Sequence, residues 1–338
     1  MRKKVGTWRP YIFFALWILT TAGAGWQVLQ GRHTFDSPAT PAILLALFVC
    51  TLALLWWLPS PVLDTLREQD RTRRGWFVLL VVVAVGVLFP LGALVGPPLL
   101  FSLPVVAAIT LAILRPRLAR REVLYALGLA LVAGVAGLGA GWVTLPPMIW
   151  GALQGALVLT GLLAGWGMLR HAGLLQAGIG GSRFLNEGIL SALRGFVQGA
   201  LVGMPWALSI VVLGGSNEDS WVHSGWQPVV AIQPGIAEEA WGRVFLIPLL
   251  FLILRRVGRT RVALTASVFI MAYWFAYLHT SDGLSAVVST VMIGTLYSLP
   301  ISYLRLRRDL ETAIGFHFWQ DFVRYGAAYL LNSGLWFS

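Results

Sequence analysis

The chain is poor in cysteine and in charged residues. Its 338 residues include one Cys, which excludes a disulfide framework and a cysteine-based metal cluster. Charged residues make up 12%, about half the share found in soluble globular domains. Hydrophobic residues make up 57%, which excludes a disordered protein and exceeds what the core of one soluble enzyme can bury. These figures indicate a polytopic membrane protein.

Apolar stretches recur along the whole chain. A helix needs about 20 apolar residues to cross the bilayer core, and eleven stretches approach or exceed that length. They lie at about 11–29, 41–58, 76–96, 98–114, 123–143, 147–168, 188–214, 229–254, 262–280, 284–304 and 310–331. We therefore predict an all-α bundle of about eleven transmembrane helices.

Basic residues are concentrated in alternate connections between the predicted spans. Twenty-one of the 25 Lys and Arg residues lie at the N-terminus and after spans two, four, six, eight and ten, while Arg32 alone lies on the other side. This asymmetry follows the positive-inside rule and predicts a cytoplasmic N-terminus. A nucleic-acid-binding protein would gather its basic residues on one surface, so we expect the lipid bilayer, and no nucleic acid, as a partner.

Ionisable residues within the spans divide the chain into two parts. The predicted spans of residues 1–187 contain no acidic residue, and we interpret this part as a scaffold of about six helices plus a linker. Residues 188–338 carry Glu, Arg, His and Asp inside the remaining five spans. Because ionisable side chains are costly in hydrocarbon, we expect the chemistry to lie in this second part.

The eighth span contains two consecutive glutamates and an arginine. Glu239 and Arg243 are spaced i,i+4 and lie on one helix face, so they can form an internal ion pair. Glu238 points to a different face, away from Arg243. It is therefore a candidate general base.

The ninth and eleventh spans carry histidines at the same spacing. Phe275 lies one helical turn before His279, and His317 lies one turn before Asp321. The aspartate can orient the imidazole of His317 or share a ligand with it. His279 falls at the outer end of its span and Glu238 near the middle of its own. Straight helices would keep these two side chains apart.

The ordered motifs EExxxR, FxxxH and HxxxN/D on these helices resemble the CPBP family (CAAX proteases and bacteriocin-processing enzymes), which are intramembrane endopeptidases. The resemblance covers residues 238–321, about a quarter of the chain. It implies that Glu238 activates water with the assistance of His279. It also implies that Glu239 and Arg243 hold the helix that carries the base.

The resemblance further implies that His317 and Asp321 stabilise the oxyanion. Many members of the family have Asn at the position of Asp321, and a carboxylate cannot donate a hydrogen bond unless it is protonated. His317 is therefore the favoured donor. A zinc site of His279, His317, Asp321 and a glutamate is an alternative. The zinc-protease signature HExxH is missing from the sequence, and a metal-free mechanism is slightly favoured.

The implied activity is hydrolysis of a peptide bond in a membrane-associated or lipidated peptide, in a bacterial cytoplasmic membrane. Two alternatives stay open at this point. One is a proton-coupled transporter that uses Glu238, Arg194 and His317 as a relay. The other is a non-catalytic binding or immunity protein.

Overall fold

The protein is entirely helical wherever the structure describes it. This computed structural model describes residues 9–31, 38–58, 102–141, 143, 145–175, 177–256, 260–280 and 284–335. Within these ranges there is no β-strand, which confirms the predicted all-α class.

The described helices follow the predicted spans closely in position. They are α1 (Arg9–Leu29), α2 (Thr40–Trp57), α3 (Ser102–Leu114), α4 (Arg120–Gly137), α5 (Pro147–His171), α6 (Arg183–Glu187), α7 (Ile189–Val202), α8 (Met204–Val212), α9 (Ile232–Glu238), α10 (Ile247–Leu254), α11 (Thr260–Tyr277), α12 (Leu284–Ile293), α13 (Leu299–Arg307) and α14 (Leu310–Asn332). Two π-helical turns, Glu239–Leu246 and Gly294–Ser298, join α9 to α10 and α12 to α13. Short 3₁₀ turns at Gly215–Glu218 and Gln227–Ala231 lie between α8 and α9.

Four described helical stretches are long and apolar enough to cross a membrane: α1, α2, α5 and the continuous stretch Ala286–Arg307. The pair α7 and α8 adds a fifth if it is one span, although the two helices are bent by 43°. Pro205 follows the bend closely, and its missing N–H breaks the helical hydrogen-bond ladder. The predicted span at 76–96 and the start of that at 98–114 lie outside the described residues. The count of eleven, the orientation and the division near residue 188 stay predictions.

The bundle has two distinct ends. We call one the basic end; it contains residues 115–122, 170–175, 177–183, 255–256 and 305–310, and there Arg170 donates to the carbonyl of Arg117. We call the other the far end; it contains residues 138–141, 213–231, 278–280 and 332–335. At the far end Asn332 Nδ2 donates to the carbonyl of Val222 at 2.8 Å. Within the described residues, the loops that follow the predicted spans four, six, eight and ten lie at the basic end; which side of the membrane this end faces stays a prediction.

Helix α14 begins inside the protein and not at its surface. Residues 309–316 are all buried, and Asp309 caps the helix by accepting from the Thr312 N–H at 2.7 Å. Glu311 accepts from Tyr125 at 2.9 Å, from Ser182 at 2.5 Å and from two backbone N–H groups of α6. These bonds fix the depth of α14, and therefore the depth of the histidine that follows.

Glycines allow helices to approach closely around this core. A Cβ at Gly165 of α5 would clash with the backbone of Val244 in the first π turn, and a Cβ at Gly315 of α14 would clash with the backbone of Phe196 in α7. Small residues at such crossings are typical of membrane helices. Both contacts lie beside the helices that carry the ionisable motifs, so these crossings position the candidate site.

Candidate active site

The first π-helical turn contains Glu239 and Arg243 of the first motif. Each of the two π-helical turns is closely followed by a proline. Ile247 N–H donates to the carbonyl of Gly242, five residues back, and Pro248 comes next. Likewise Leu299 N–H donates to the carbonyl of Gly294, and Pro300 comes next. A proline has no N–H for the carbonyl four residues back, which favours the wider turn. Such turns often occur at functional sites.

The His317 imidazole lies between the two glutamates of the first motif. Its Nδ1 is 3.0 Å from Glu239 Oε1, and its Nε2 is 3.3 Å from Glu238 Oε2. Consecutive glutamates thus contact the two nitrogens of one ring. The sequence predicted that Glu238 points away from Arg243. In the structure the Glu238 carboxylate faces His317 and His279.

His279 reaches the same carboxylate from the far end. Its Nε2 is 3.7 Å from Glu238 Oε1, and its Nδ1 is 2.8 Å from the carbonyl of Phe275. The depth conflict expected from the sequence does not arise, because α10 and α11 form a short helical hairpin. Glu238 lies 16 residues before Leu254 and His279 lies 19 residues after Thr260, so the two side chains are nearly level.

Glu239 and Arg243 form the predicted ion pair, with 3.2 Å between Glu239 Oε1 and Arg243 Nη1. Both side chains are fully buried. The guanidinium also donates to Ser298 at 2.9 Å and contacts Ser302 at 3.4 Å. Its carbon lies 4.1 Å from the centre of the Phe275 ring. These contacts tie the first motif to the second π turn and to α11.

Phe275 packs against both imidazoles of the site. Its ring centre is 4.4 Å from that of His279 and 6.2 Å from that of His317. The sequence suggested the first of these contacts from the one-turn spacing. The phenylalanine therefore restricts the ring positions of both histidines and also contacts the Arg243 guanidinium.

Asp321 lies one turn beyond His317, at the edge of the site. Its Oδ2 is 3.6 Å from His317 Nε2, and its Oδ1 is 3.7 Å from Arg324 Nη1. Arg324 in turn pairs with Asp219, with 2.9 Å between Nε and Oδ2. Arg324 is thus shared between Asp321 and an acidic residue from the loop of the far end.

The tautomers of the two histidines follow from their contacts. Nδ1 of His279 faces a carbonyl and Nδ1 of His317 faces a carboxylate paired with arginine, so each Nδ1 must carry the proton. Each Nε2 then turns towards Glu238. A proton on either Nε2 would turn a donor towards this carboxylate.

A metal site does not assemble from the described side chains. No three His, Cys, Asp or Glu side chains in the described ranges are arranged to hold one metal ion. Glu238 Oε2 and Asp321 Oδ2 lie 3.3 and 3.6 Å from His317 Nε2, and the zinc set of His279, His317 and Asp321 stays a prediction.

The structure also locates residues outside the six predicted ones. Arg194, which the transporter alternative places in a relay with Glu238 and His317, is exposed on α7, and Glu239 pairs with Arg243 instead. Ser298 and Ser302 were missed as partners of the arginine. Their spacing of four residues on an apolar helix is a signal that could have identified them.

A carboxylate flanked by two imidazoles, part-buried in a bundle of apolar helices, is the arrangement expected of an intramembrane hydrolase. Comparison with protein families supports a hydrolase. Residues 221–323 match the family of type II CAAX prenyl endopeptidases, Rce1-like, and this segment contains all six predicted site residues. The segment is thus similar to the protease domain of CAAX-type endopeptidases, as its resemblance to the CPBP family predicted. Comparison with curated proteins and with solved structures gives no match.

Proposed function

We propose that the protein is an intramembrane endopeptidase in which Glu238 activates water against a peptide bond of a membrane-associated or lipidated peptide. The observation that carries the proposal is the contact of the Glu238 carboxylate with two histidine Nε2 atoms, at 3.3 and 3.7 Å. A base and two proton donors then face one space, which acyl transfer from an amide requires.

The proposed reaction proceeds through a tetrahedral intermediate. Glu238 takes a proton as the water oxygen adds to the scissile carbonyl carbon, and His279 holds the water from the other side. His317 Nε2 donates a hydrogen bond to the developing oxyanion and keeps its proton throughout. Glu238 then passes its proton to the amide nitrogen, the C–N bond breaks, and the products are a carboxylic acid and an amine. Asp321 keeps the His317 ring charged and oriented in this scheme.

The test uses purified protein in detergent and two peptides, one with a farnesylated cysteine and one with an N-terminal acyl chain. We expect cleavage, detected by mass spectrometry, and a loss on the order of 10²–10⁴-fold for Glu238→Gln. Glu187→Gln is the matched control, since Glu187 is exposed on α6. Cleavage that survives Glu238→Gln would remove this residue as the base. If neither peptide is cleaved, the non-catalytic alternative gains support.

We also propose that no metal ion takes part, because no three His, Cys, Asp or Glu side chains among the described residues are arranged to hold one. Dialysis against a zinc chelator should leave the cleavage rate unchanged. A loss of activity that added Zn²⁺ restores, in protein of unchanged helical content, would contradict this part of the proposal.

A further inference from the structure

The side chains of the site are exposed in a graded manner. On one side, the Glu239 and Arg243 side chains are 0% exposed, and Ser298 and Ser302 behind them are buried. On the other side, the Glu238 side chain is 20% exposed and that of His279 is 40% exposed. The site is therefore shielded from solvent on the side of the Glu239–Arg243 ion pair and accessible on the side of Glu238 and His279.

The open side faces the far end. Glu238 lies six residues after Ile232, where α9 begins at the far end, and 16 residues before Leu254, where α10 ends at the basic end. At 1.5 Å per residue these separations are about 9 Å and about 24 Å. His279 follows the last residue of α11, Tyr277, in the turn at the far end. The reacting groups thus lie much nearer to the far end.

Charged groups continue from the site to the loop of the far end. Asp321 contacts His317 on one side and Arg324 on the other, and Arg324 pairs with Asp219. The Arg324 side chain is 28% exposed. A row of charged side chains is costly in hydrocarbon, so this row indicates contact with water. Towards the basic end, by contrast, the charged side chains of Arg243, Arg305 and Glu311 are buried.

We propose that the catalytic site opens to the extracytoplasmic face of the membrane and takes polypeptides anchored in the outer leaflet. The proposal rests on the proposed function and on the basic loops, which by the positive-inside rule lie in the cytoplasm. The far end then lies outside. A scissile bond held at the outer boundary of the bilayer reaches Glu238, whereas a lipidated peptide anchored in the cytoplasmic leaflet does not. The substrate class is therefore exported, membrane-anchored polypeptides.

The sidedness can be measured without a substrate, because Cys50 is the only cysteine and is fully buried. Three single variants add one accessible thiol each: His279→Cys in the site, Ser220→Cys at the far end and Arg308→Cys at the basic end. In intact cells, a membrane-impermeant maleimide should label the first two and should label Arg308→Cys only after permeabilisation. Labelling of Arg308→Cys in intact cells, or of Ser220→Cys but not His279→Cys, would overturn the proposal.

A second measurement tests the substrate class. The acylated peptide that the detergent-solubilised protein cleaves is given a hexa-aspartate extension and is added to right-side-out or to inverted membrane vesicles. We expect cleavage by right-side-out vesicles, with at most a tenth of that rate in inverted ones; faster cleavage in inverted vesicles would overturn the proposal. If the solubilised protein cleaves nothing, the proposed function fails, and the labelling pattern alone decides which face the site opens to.

Discussion

The buried ion pair behind the catalytic base offers a quantitative test of the site. Replacing Arg243 by Met keeps the side-chain volume similar and removes the charge. The Glu239 carboxylate, which is fully buried, then loses its cation and keeps only its contact with His317. Ser298 also loses its donor, but its hydroxyl can turn to the helix backbone. The main cost is therefore the loss of the arginine that pairs with a fully buried carboxylate.

The expected magnitude follows from that cost. Removing one partner of a buried ion pair destabilises a protein by about 3–5 kcal/mol, which is roughly a 10²- to 10⁴-fold change in the unfolding equilibrium. Replacing both partners by neutral groups of similar volume is often close to neutral. The double variant Glu239→Gln/Arg243→Met should therefore recover at least half of the loss. The glutamine oxygen still accepts from His317 Nδ1, so cleavage should recover in part as well.

The assay is unfolding in mixed micelles followed by tryptophan fluorescence, for which the chain offers 16 Trp residues. Arg194→Met is the matched control, since Arg194 is exposed, and it should be within about 0.5 kcal/mol of the wild type. If Arg243→Met and the double variant are equally destabilised, the two residues are not coupled. The assignment of the pair as the support of the base would then be wrong.

Two further predictions concern the placement of α14. Gly315→Ala should cost about 1–3 kcal/mol and reduce cleavage, because its Cβ meets the backbone of α7, whereas Gly326→Ala on the same helix meets nothing and should leave thermal stability unchanged or raised. Equal melting temperatures for the two variants would contradict this packing. Glu311→Gln should lower the free energy of unfolding by about 1–3 kcal/mol, because the glutamine NH2 group would face hydroxyl and N–H groups that now donate to the Glu311 carboxylate. Glu187→Gln is the control. A Glu311→Gln protein as stable as the wild type would refute the role of these bonds.

Much of the architecture was predictable from hydrophobic patterning. Spans such as 11–29 and 147–168 coincide with α1 and α5 within a few residues, because a run of apolar residues in a bilayer has no alternative to a helix. The breaks were less predictable. The bend near Gly203 and the π turn at Glu239–Leu246 depend on prolines, whose effect on a helix is local and depends on its neighbours.

The candidate site was predictable as a set of residues but not as a geometry. The i,i+4 spacing identified Glu239 with Arg243 and His317 with Asp321, since such pairs share a helix face. It could not show that His279 meets Glu238, because that contact depends on the pairing of α10 with α11. Nor could it assign Ser298 or Asp219, which approach the site from elements far away in the sequence.

The sequence by itself determined that the chain is helical, that it is suited to a membrane, and which few ionisable side chains lie among its apolar residues. These properties depend on composition and on spacing within single helices. Only the tertiary structure decided the depth at which the helices lie against one another. The buried start of α14, fixed by Glu311 and Asp309, brings His317 between Glu238 and Glu239. That depth is set by contacts between separate helices, which no single stretch of sequence specifies.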